Sequence, residues 1–363
     1  MRRLLWLVSV ALVSALAPAQ NTWVHSDFAS TQIESYRKNY DVPGLSIAVA
    51  IKGQVVFAKG FGYADMERQV PVRPADYFRL ASVSKPITST MILELVEQGR
   101  LDLDTPVRQI VPELPPHHTY KVRDLLCHQS GIRHYSSNDP PLKNYPTSMS
   151  ALERFAKDPL LFEPGEKFSY STHAFTVLGA VIEKVVKKPY RIYSAERLKA
   201  WGISGVQCET GSNPDRTKVY TLADGKTKAA NRDDLSWKFP GGGYEATAVG
   251  LCQLGLAIDQ GKILKQKTLD TMWTVQKPRT GTSSMALGWT ISNAAGHKAA
   301  VHSGSQLGAN SMWRIQIDDQ TVVVVLSNRE GHQPDDLAAY LMRLTYLGKD
   351  DKLPNFKPPQ SPR

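Results

Sequence analysis

Hydrophobic and polar positions follow two different periods along this chain, and the changes between them mark its parts. Residues 26–40 read as a helix. The apolar run Leu45-Ser46-Ile47-Ala48-Val49-Ala50-Ile51, a turn at Lys52-Gly53-Gln54 and the run Val55-Val56-Phe57-Ala58 read as a β-hairpin. From Ile87 through Met91, Ile92, Leu95 and Val96 the apolar positions recur at helical spacing, and Gly99 can stop that helix. A second apolar helical run spans Val177 to Ile182. Near the far end, strands are expected at Met285–Ser292, Ala299–Ser303, Met312–Ile317 and the valine-rich Thr321–Ser327, followed by a helix near Asp335–Tyr346. Strands at both ends, with helix and loop signals between them, predict an α/β (α+β) protein. One antiparallel sheet flanked by helices is closed by both chain ends, about 26–105 and 282–348. A mostly helical subdomain, about 106–281, is inserted between them. Residues 20–348 then form one domain. From residue 349 on, the proline-rich stretch Leu353 to Pro362 reads as a disordered tail.

Composition changes this picture mainly at the N-terminus. Of 363 residues, 42% are hydrophobic and 21% charged, ample for one large domain with an insertion. Arg2-Arg3 precede an apolar run, Leu4 to Leu16, too short for a comfortable membrane span, and Ala17-Pro18-Ala19 fits a cleavage site. Residues 1–19 are therefore expected to be a signal peptide, with the mature protein exported to a periplasm or medium and lacking a stable membrane span. Gln20, not cysteine, follows the site, which argues against a lipoprotein anchor.

The net charge of +10 is scattered, with no basic stripe or interleaved aromatics, so no nucleic-acid partner is expected. Lys184, Lys187 and Lys188 read as one solvated helix face. Three cysteines, Cys127, Cys208 and Cys252, allow at most one disulfide within the chain. The nine histidines form no H-x-x-x-H or H-E-x-x-H array, so neither a metal nor a cofactor is expected.

The candidate chemistry begins at Phe78-Arg79-Leu80-Ala81-Ser82-Val83-Ser84-Lys85-Pro86. Ser82 and Lys85 stand three apart where a helix begins, so both side chains share one face, a turn apart. An amine within reach of a hydroxyl is how a Ser–Lys pair activates a nucleophile. Pro86 belongs in a helix's first turn, which puts Ser82 at the N-terminus, where free N–H groups favour developing negative charge. The spacing alone is weak evidence, because the chain repeats it at Ser35 and Lys38, in a polar segment that reads as solvated surface.

Two further segments sharpen the reading. Phe168-Ser169-Tyr170-Ser171-Thr172-His173 follows the turn-like Glu163-Pro164-Gly165-Glu166, and Val301-His302-Ser303-Gly304-Ser305 falls between strands. The order S-x-x-K, Tyr-Ser-x, His-Ser-Gly resembles the serine β-lactamase and penicillin-binding protein superfamily. It looks closest to the branch of class C β-lactamases, D-Ala-D-Ala carboxypeptidases and esterases. Leu125-Leu126-Cys127-His128-Gln129-Ser130-Gly131, Gly241-Gly242-Gly243-Tyr244-Glu245-Ala246-Thr247 and Leu287-Gly288-Trp289 resemble further landmarks of that family in the right order.

The resemblance implies a β-lactamase/transpeptidase-like fold and a serine hydrolase acting through an acyl-enzyme. It implies Ser82, Lys85 and Tyr170 as the catalytic set, with either Lys85 or Tyr170 as the base. Thr172, His302, Ser303 and Gly304 would meet the substrate, and the backbone N–H groups of Ser82 and Ser305 would form an oxyanion hole. His173 and Ser84 read as structural.

Two departures bear on the substrate. Thr172 stands where many members carry Asn, and His302 where many β-lactamases carry Lys. Both point away from efficient β-lactam hydrolysis. The expected substrate is a small molecule or peptide with an ester, amide or D-amino-acid peptide bond. β-Lactamase activity is the second reading, and a non-turnover penicillin-binding or scaffold protein the rival.

Overall fold

In the computed structural model, which describes residues 22–294, 297–317 and 319–357, the first and last apolar runs become neighbours. Strand Gly44–Ile51 pairs antiparallel with Thr321–Ser327, with Ala48 opposite Val324. They sit at the centre of a seven-stranded antiparallel sheet. Its order is Val70–Pro71, Gln54–Asp65, Gly44–Ile51, Thr321–Ser327, Ala309–Gln316, His297–Gln306, Thr290–Ala294.

The two central strands read as unbroken apolar runs because both of their faces are covered. Leu45, Ile47, Val49, Val323 and Val325 pack on an outer pair of helices, Ser26–Asn39 and Pro334–Leu344, through Ile33, Tyr36, Leu337 and Leu341. Ala48, Ala50, Val322, Val324 and Leu326 point the other way, into the larger core shared with the inserted part. Helix Ala248–Asp259 lies against the sheet there. Helix Ser84–Glu97 is buried without a break from Ser84 to Leu95, so it has no solvent face for its first three turns. It ends just before Gly99, whose φ of +66° closes it as expected.

Several expectations are corrected. The strand expected at Met285–Ser292 begins only at Thr290. Gly288 has φ +82°, and the Ala286 N–H donates to the Trp289 carbonyl, so Leu287-Gly288-Trp289 is a tight turn. The inserted part, expected to be mostly helical, also carries short strands, some paired with a segment outside it. Phe78–Arg79, Tyr244–Ala246 and Val206–Cys208 form a small sheet, and Val219–Ala223 pairs with Lys226–Ala230.

The tail expected to be disordered from residue 349 is ordered as far as 357. The Tyr340 hydroxyl donates to the Pro354 carbonyl at 2.8 Å, the Phe356 N–H donates to Gln32 Oε1 at 2.8 Å, and the Phe356 ring meets Tyr36 edge-on at 5.4 Å. One half-buried aromatic and two hydrogen bonds outweigh the proline-rich composition around them. The three cysteines are buried and unpaired. The segment expected to be a signal peptide lies outside the described residues. No described helix is long and apolar enough to cross a membrane.

Candidate active site

Leu80 anchors the turn that presents Ser82. Its N–H donates to the Tyr244 carbonyl at 2.8 Å, and its carbonyl accepts from the Ser311 hydroxyl at 2.6 Å. Ser82 then lies in the single 3₁₀ turn Ala81–Val83, one step before the helix that begins at Ser84, rather than in the helix itself. Ala81 has φ +47°, a conformation alanine adopts at a cost. Ser84 holds it: its hydroxyl donates to the Ala81 carbonyl at 2.6 Å and accepts from the Tyr244 N–H at 3.1 Å. The result is a half-buried Ser82 ahead of a buried Lys85. The second Ser–Lys pair, Ser35 and Lys38, is exposed on the outer helix.

Lys85 Nζ stands 3.1 Å from Ser82 Oγ, 3.0 Å from Thr172 Oγ1 and 2.6 Å from the Gly241 carbonyl oxygen. None of these partners is a carboxylate. Burial therefore pulls its pKa well below the usual lysine value, and the charge of Lys238 pushes it the same way. A Cβ on Gly241 would stand 3.0 Å from the side chains of Phe175 and Thr172, so this carbonyl reaches Lys85 because the residue is glycine.

Tyr170 and Thr172 are delivered together. Ser171 caps helix Thr172–Val186, its hydroxyl accepting from the Ala174 N–H at 3.1 Å and donating to the Arg133 carbonyl at 2.8 Å. His128 grips the segment on both sides of Tyr170. Its carbonyl accepts from the Ser169 N–H at 2.9 Å, its Nδ1 accepts from the Ser171 N–H at 3.1 Å, and its ring lies against the Tyr170 ring at 4.3 Å. His134 accepts from the Thr172 N–H at 3.1 Å.

Both imidazoles are kept neutral, chiefly by burial: His128 is held far below its usual value and His134 is brought to about 4. The Tyr170 ring centre lies 4.7 Å from Lys85 Nζ. Burial raises the pKa of its phenol, and hydrogen bonds to Ser82 and Thr172 only partly oppose this.

The facing wall is strand His297–Gln306. Thr290–Ala294 pairs with it only as far as Val301 opposite Thr290, so residues 302–306 keep one open backbone edge. Gly304 closes the gap to the serine turn: a Cβ there would stand 2.4 Å from the Leu80 carbonyl oxygen and 2.9 Å from Ser82 N. Ser303 and Ser305 are exposed on either side of it. His302 is buried, its Nδ1–H donating to the Ser303 carbonyl at 2.7 Å. Burial takes its pKa to about 3, so it carries no charge at neutral pH. A cleft of about 540 Å³ runs between these walls, lined by Ser82, His134, Tyr170, Phe168, Ser303 and Ser305 among others. Of the eight residues singled out in the sequence, Ser82, Tyr170, His302, Ser303 and Ser305 line this cleft, while Lys85 and Thr172 are buried behind Ser82 and Gly304 is buried between the two exposed serines.

Sequence reasoning passed over the Gly241 carbonyl, Lys238 and the two histidines that hold Tyr170. His128 lay inside a segment already noted, but nothing in the sequence showed that it would contact Tyr170. His173, read as structural, pairs with Asp139 at 3.2 Å and stacks on Phe155 at 4.1 Å, away from Ser82.

Arg79, also passed over, is fully buried and joins the serine turn to three other segments. It donates twice to Glu209 at 2.8 Å, to Asp233 at 2.6 Å and to the Leu307 carbonyl at 3.1 Å. Arg79→Met leaves these acceptors unpaired, Glu209 retaining only Arg232. A loss of about 3–5 kcal/mol of stability is expected, as for other broken buried pairs. It would appear as a large drop in the thermal unfolding midpoint; a midpoint within a degree of the parent protein would contradict it.

Comparison with known proteins agrees with this geometry. The family model described as "Beta-lactamase" matches residues 29–347. The mitochondrial serine beta-lactamase-like protein LACTB of Homo sapiens is 27% identical, the match covering 77% of this chain and 70% of that one. The octameric penicillin-binding protein homologue from Pyrococcus abyssi superposes with a TM-score of 0.77 at 26% identity, over 88% of this chain and 76% of that one. The D-amino acid amidase of Ochrobactrum anthropi shares the fold at 21% identity, with a TM-score of 0.75 over 88% and 99% of the two chains.

Proposed function

Since the chain belongs to the beta-lactamase family and is on that ground a serine hydrolase, we propose that Ser82 is its nucleophile and the neutral amine of Lys85 its base. One observation carries this reading: Lys85 is buried 3.1 Å from Ser82 Oγ with no counter-ion among the described residues. A neutral amine has two N–H donors and one lone pair. The Gly241 carbonyl and Thr172 Oγ1 take the donors, which leaves the lone pair for the Ser82 O–H.

Acylation then balances as follows. Ser82 Oγ bonds to the substrate carbonyl carbon while its proton passes to Lys85 Nζ. The oxygen becomes an oxyanion between the N–H groups of Ser82 and Ser305, which the close approach of Gly304 brings together. As the carbonyl re-forms, the bond to the leaving group breaks. The leaving atom receives the proton from Lys85, with Tyr170, protonated at neutral pH, as the relay. Water repeats the sequence to free Ser82. The open edge of residues 302–306 suits a substrate backbone added alongside it, with Thr172, His302, Ser303 and Gly304 meeting the substrate.

The substrate class we favour is an ester, amide or D-amino-acid peptide bond. With His302 neutral and Lys85 uncharged, the reacting centre itself offers no cationic clamp for a carboxylate. Export, with removal of residues 1–19, belongs to the same proposal.

The test is the intact mass of the purified protein after brief exposure to a penicillin and, separately, to an activated ester. A single adduct mapping to the peptide that contains Ser82 supports the reading. Its decay rate separates a turnover enzyme from a non-turnover penicillin binder. An adduct on any other residue, or turnover with no Ser82 adduct under rapid quench, overturns it.

A further inference from the structure

Beside the Ser82 cleft lies a second hollow of about 400 Å³, and Tyr135 lines both. The wall strand joins them directly: Ser305 borders the cleft, and the next residue, Gln306, borders the hollow. The other side comes from Trp237 and Lys238, just ahead of the glycine whose carbonyl holds Lys85.

This hollow is rich in donors and short of acceptors. Lys238 is only 5% exposed, and its Nζ rests over the rings of Trp237 and Tyr135, 5.0 and 5.3 Å from their centres. Asp233 and Glu209 act on it through space, with no hydrogen bond to either, because both carboxylates are engaged by Arg79. Asp139, the other acid on the rim, is taken by Arg133 and His173. Burial lowers the Lys238 pKa to about 8, which leaves it cationic at neutral pH. Trp237 Nε1 and Gln306 Nε2 are also buried, and neither has a partner among the described residues.

Buried donors are almost always satisfied, and a buried cation is almost always paired. Here two neutral donors, the Lys238 ammonium and the Arg154 guanidinium stand around the same space, and the nearby carboxylates of Asp233, Glu209 and Asp139 are each already in an ion pair with an arginine. The missing partner is an anionic acceptor from outside. We propose that this hollow is a subsite for a carboxylate carried by the substrate at a distance from the carbonyl that Ser82 attacks. The natural substrate is then an anionic ester or amide. This rests on the Ser82 hydrolase reading and adds the charge of the substrate to it.

The experiment compares p-nitrophenyl half-esters of succinate, glutarate and adipate with the same esters methylated at the free carboxylate. Parent enzyme should favour the anionic member of at least one pair in kcat/KM by about tenfold or more, the scale of one charge-assisted hydrogen bond. Lys238→Met should abolish that preference, and Gln306→Leu should weaken it. The ratio within a pair cancels any effect of Lys238 on the Lys85 base, since both esters use the same acylation machinery. Equal or faster turnover of the methylated ester at every chain length overturns the proposal.

Calorimetry with monomethyl glutarate separates the two readings. Its binding to Ser82→Ala should be lost when Lys238→Met is added. If neither ester shows Ser82-dependent turnover, the hydrolase reading fails, and Lys238-dependent binding alone decides the subsite.

Discussion

Ser82→Ala lowers kcat/KM for activated esters by a factor on the order of 10⁴–10⁶, with the fold unchanged. The magnitude follows from the position of the nucleophile in a coupled set: once the attacking atom is gone, the base and the relay have nothing to act on. The neighbouring hydroxyls do not replace it. Ser84 donates to the Ala81 carbonyl and braces the turn, and Thr172 is an acceptor for Lys85. Residual rate above background should come from the N–H groups of Ser82 and Ser305, which the alanine leaves in place. Stability should change little, because Ser82 is half-buried and its backbone lies in a turn fixed by Leu80, Ser84 and Ser311. Initial rates measured beside the thermal midpoint check both halves. Activity within tenfold of the parent enzyme would mean another atom attacks the carbonyl.

The parts of this molecule that were legible in sequence are those set by local chemistry or by burial on two faces. Thr321–Ser327 was placed to the residue because a strand covered on both sides must be apolar throughout, and its run of four valines says so. Ser82 and Lys85 were legible because their spacing, one turn apart beside a helix start, came with two further motifs in order, and a 3₁₀ turn leading into the helix keeps the pair 3.1 Å apart. What escaped depends on contacts made across long sequence gaps. The end of the tail is anchored by Tyr36, more than three hundred residues earlier. The left-handed Ala81 is held through Ser84 and Tyr244, and nothing local marks it. The strand expected from Met285 fails because Gly288 turns the chain, which the apolar pattern around Leu287 and Trp289 conceals. Lys238 carries no motif. Its meaning appears only when Trp237, Tyr135 and Gln306 are seen around it.

Lys85→Met is the second large effect, and it has a signature in stability as well as in rate. Loss of the proton acceptor should lower kcat by about 10²–10⁴. In the parent enzyme only the neutral amine accepts the proton. Log kcat/KM should therefore climb with pH through the Lys85 pKa, on a limb well below the ordinary lysine value of 10.5. That limb should be missing from the residual activity of the variant. The stability argument uses the same proton. Unfolded Lys85 holds its proton up to about pH 10.5, whereas burial makes the folded amine give it up at a lower pH. Between the two pKa values the unfolded state binds one proton more, so parent stability rises with pH by about 1.4 kcal/mol per unit from this group. Methionine carries no such proton. The stability of Lys85→Met relative to the parent should therefore improve steadily as pH falls from about 10 toward the lowered pKa of the folded amine. Methionine also leaves the Gly241 carbonyl without its donor, a cost of about 1–3 kcal/mol that does not vary with pH. The slope of the difference carries the test, since this constant cost moves only its offset. Unfolding measured from about pH 6 to 10 supplies it. A flat difference would mean that Lys85 is protonated in the folded protein and is not the base.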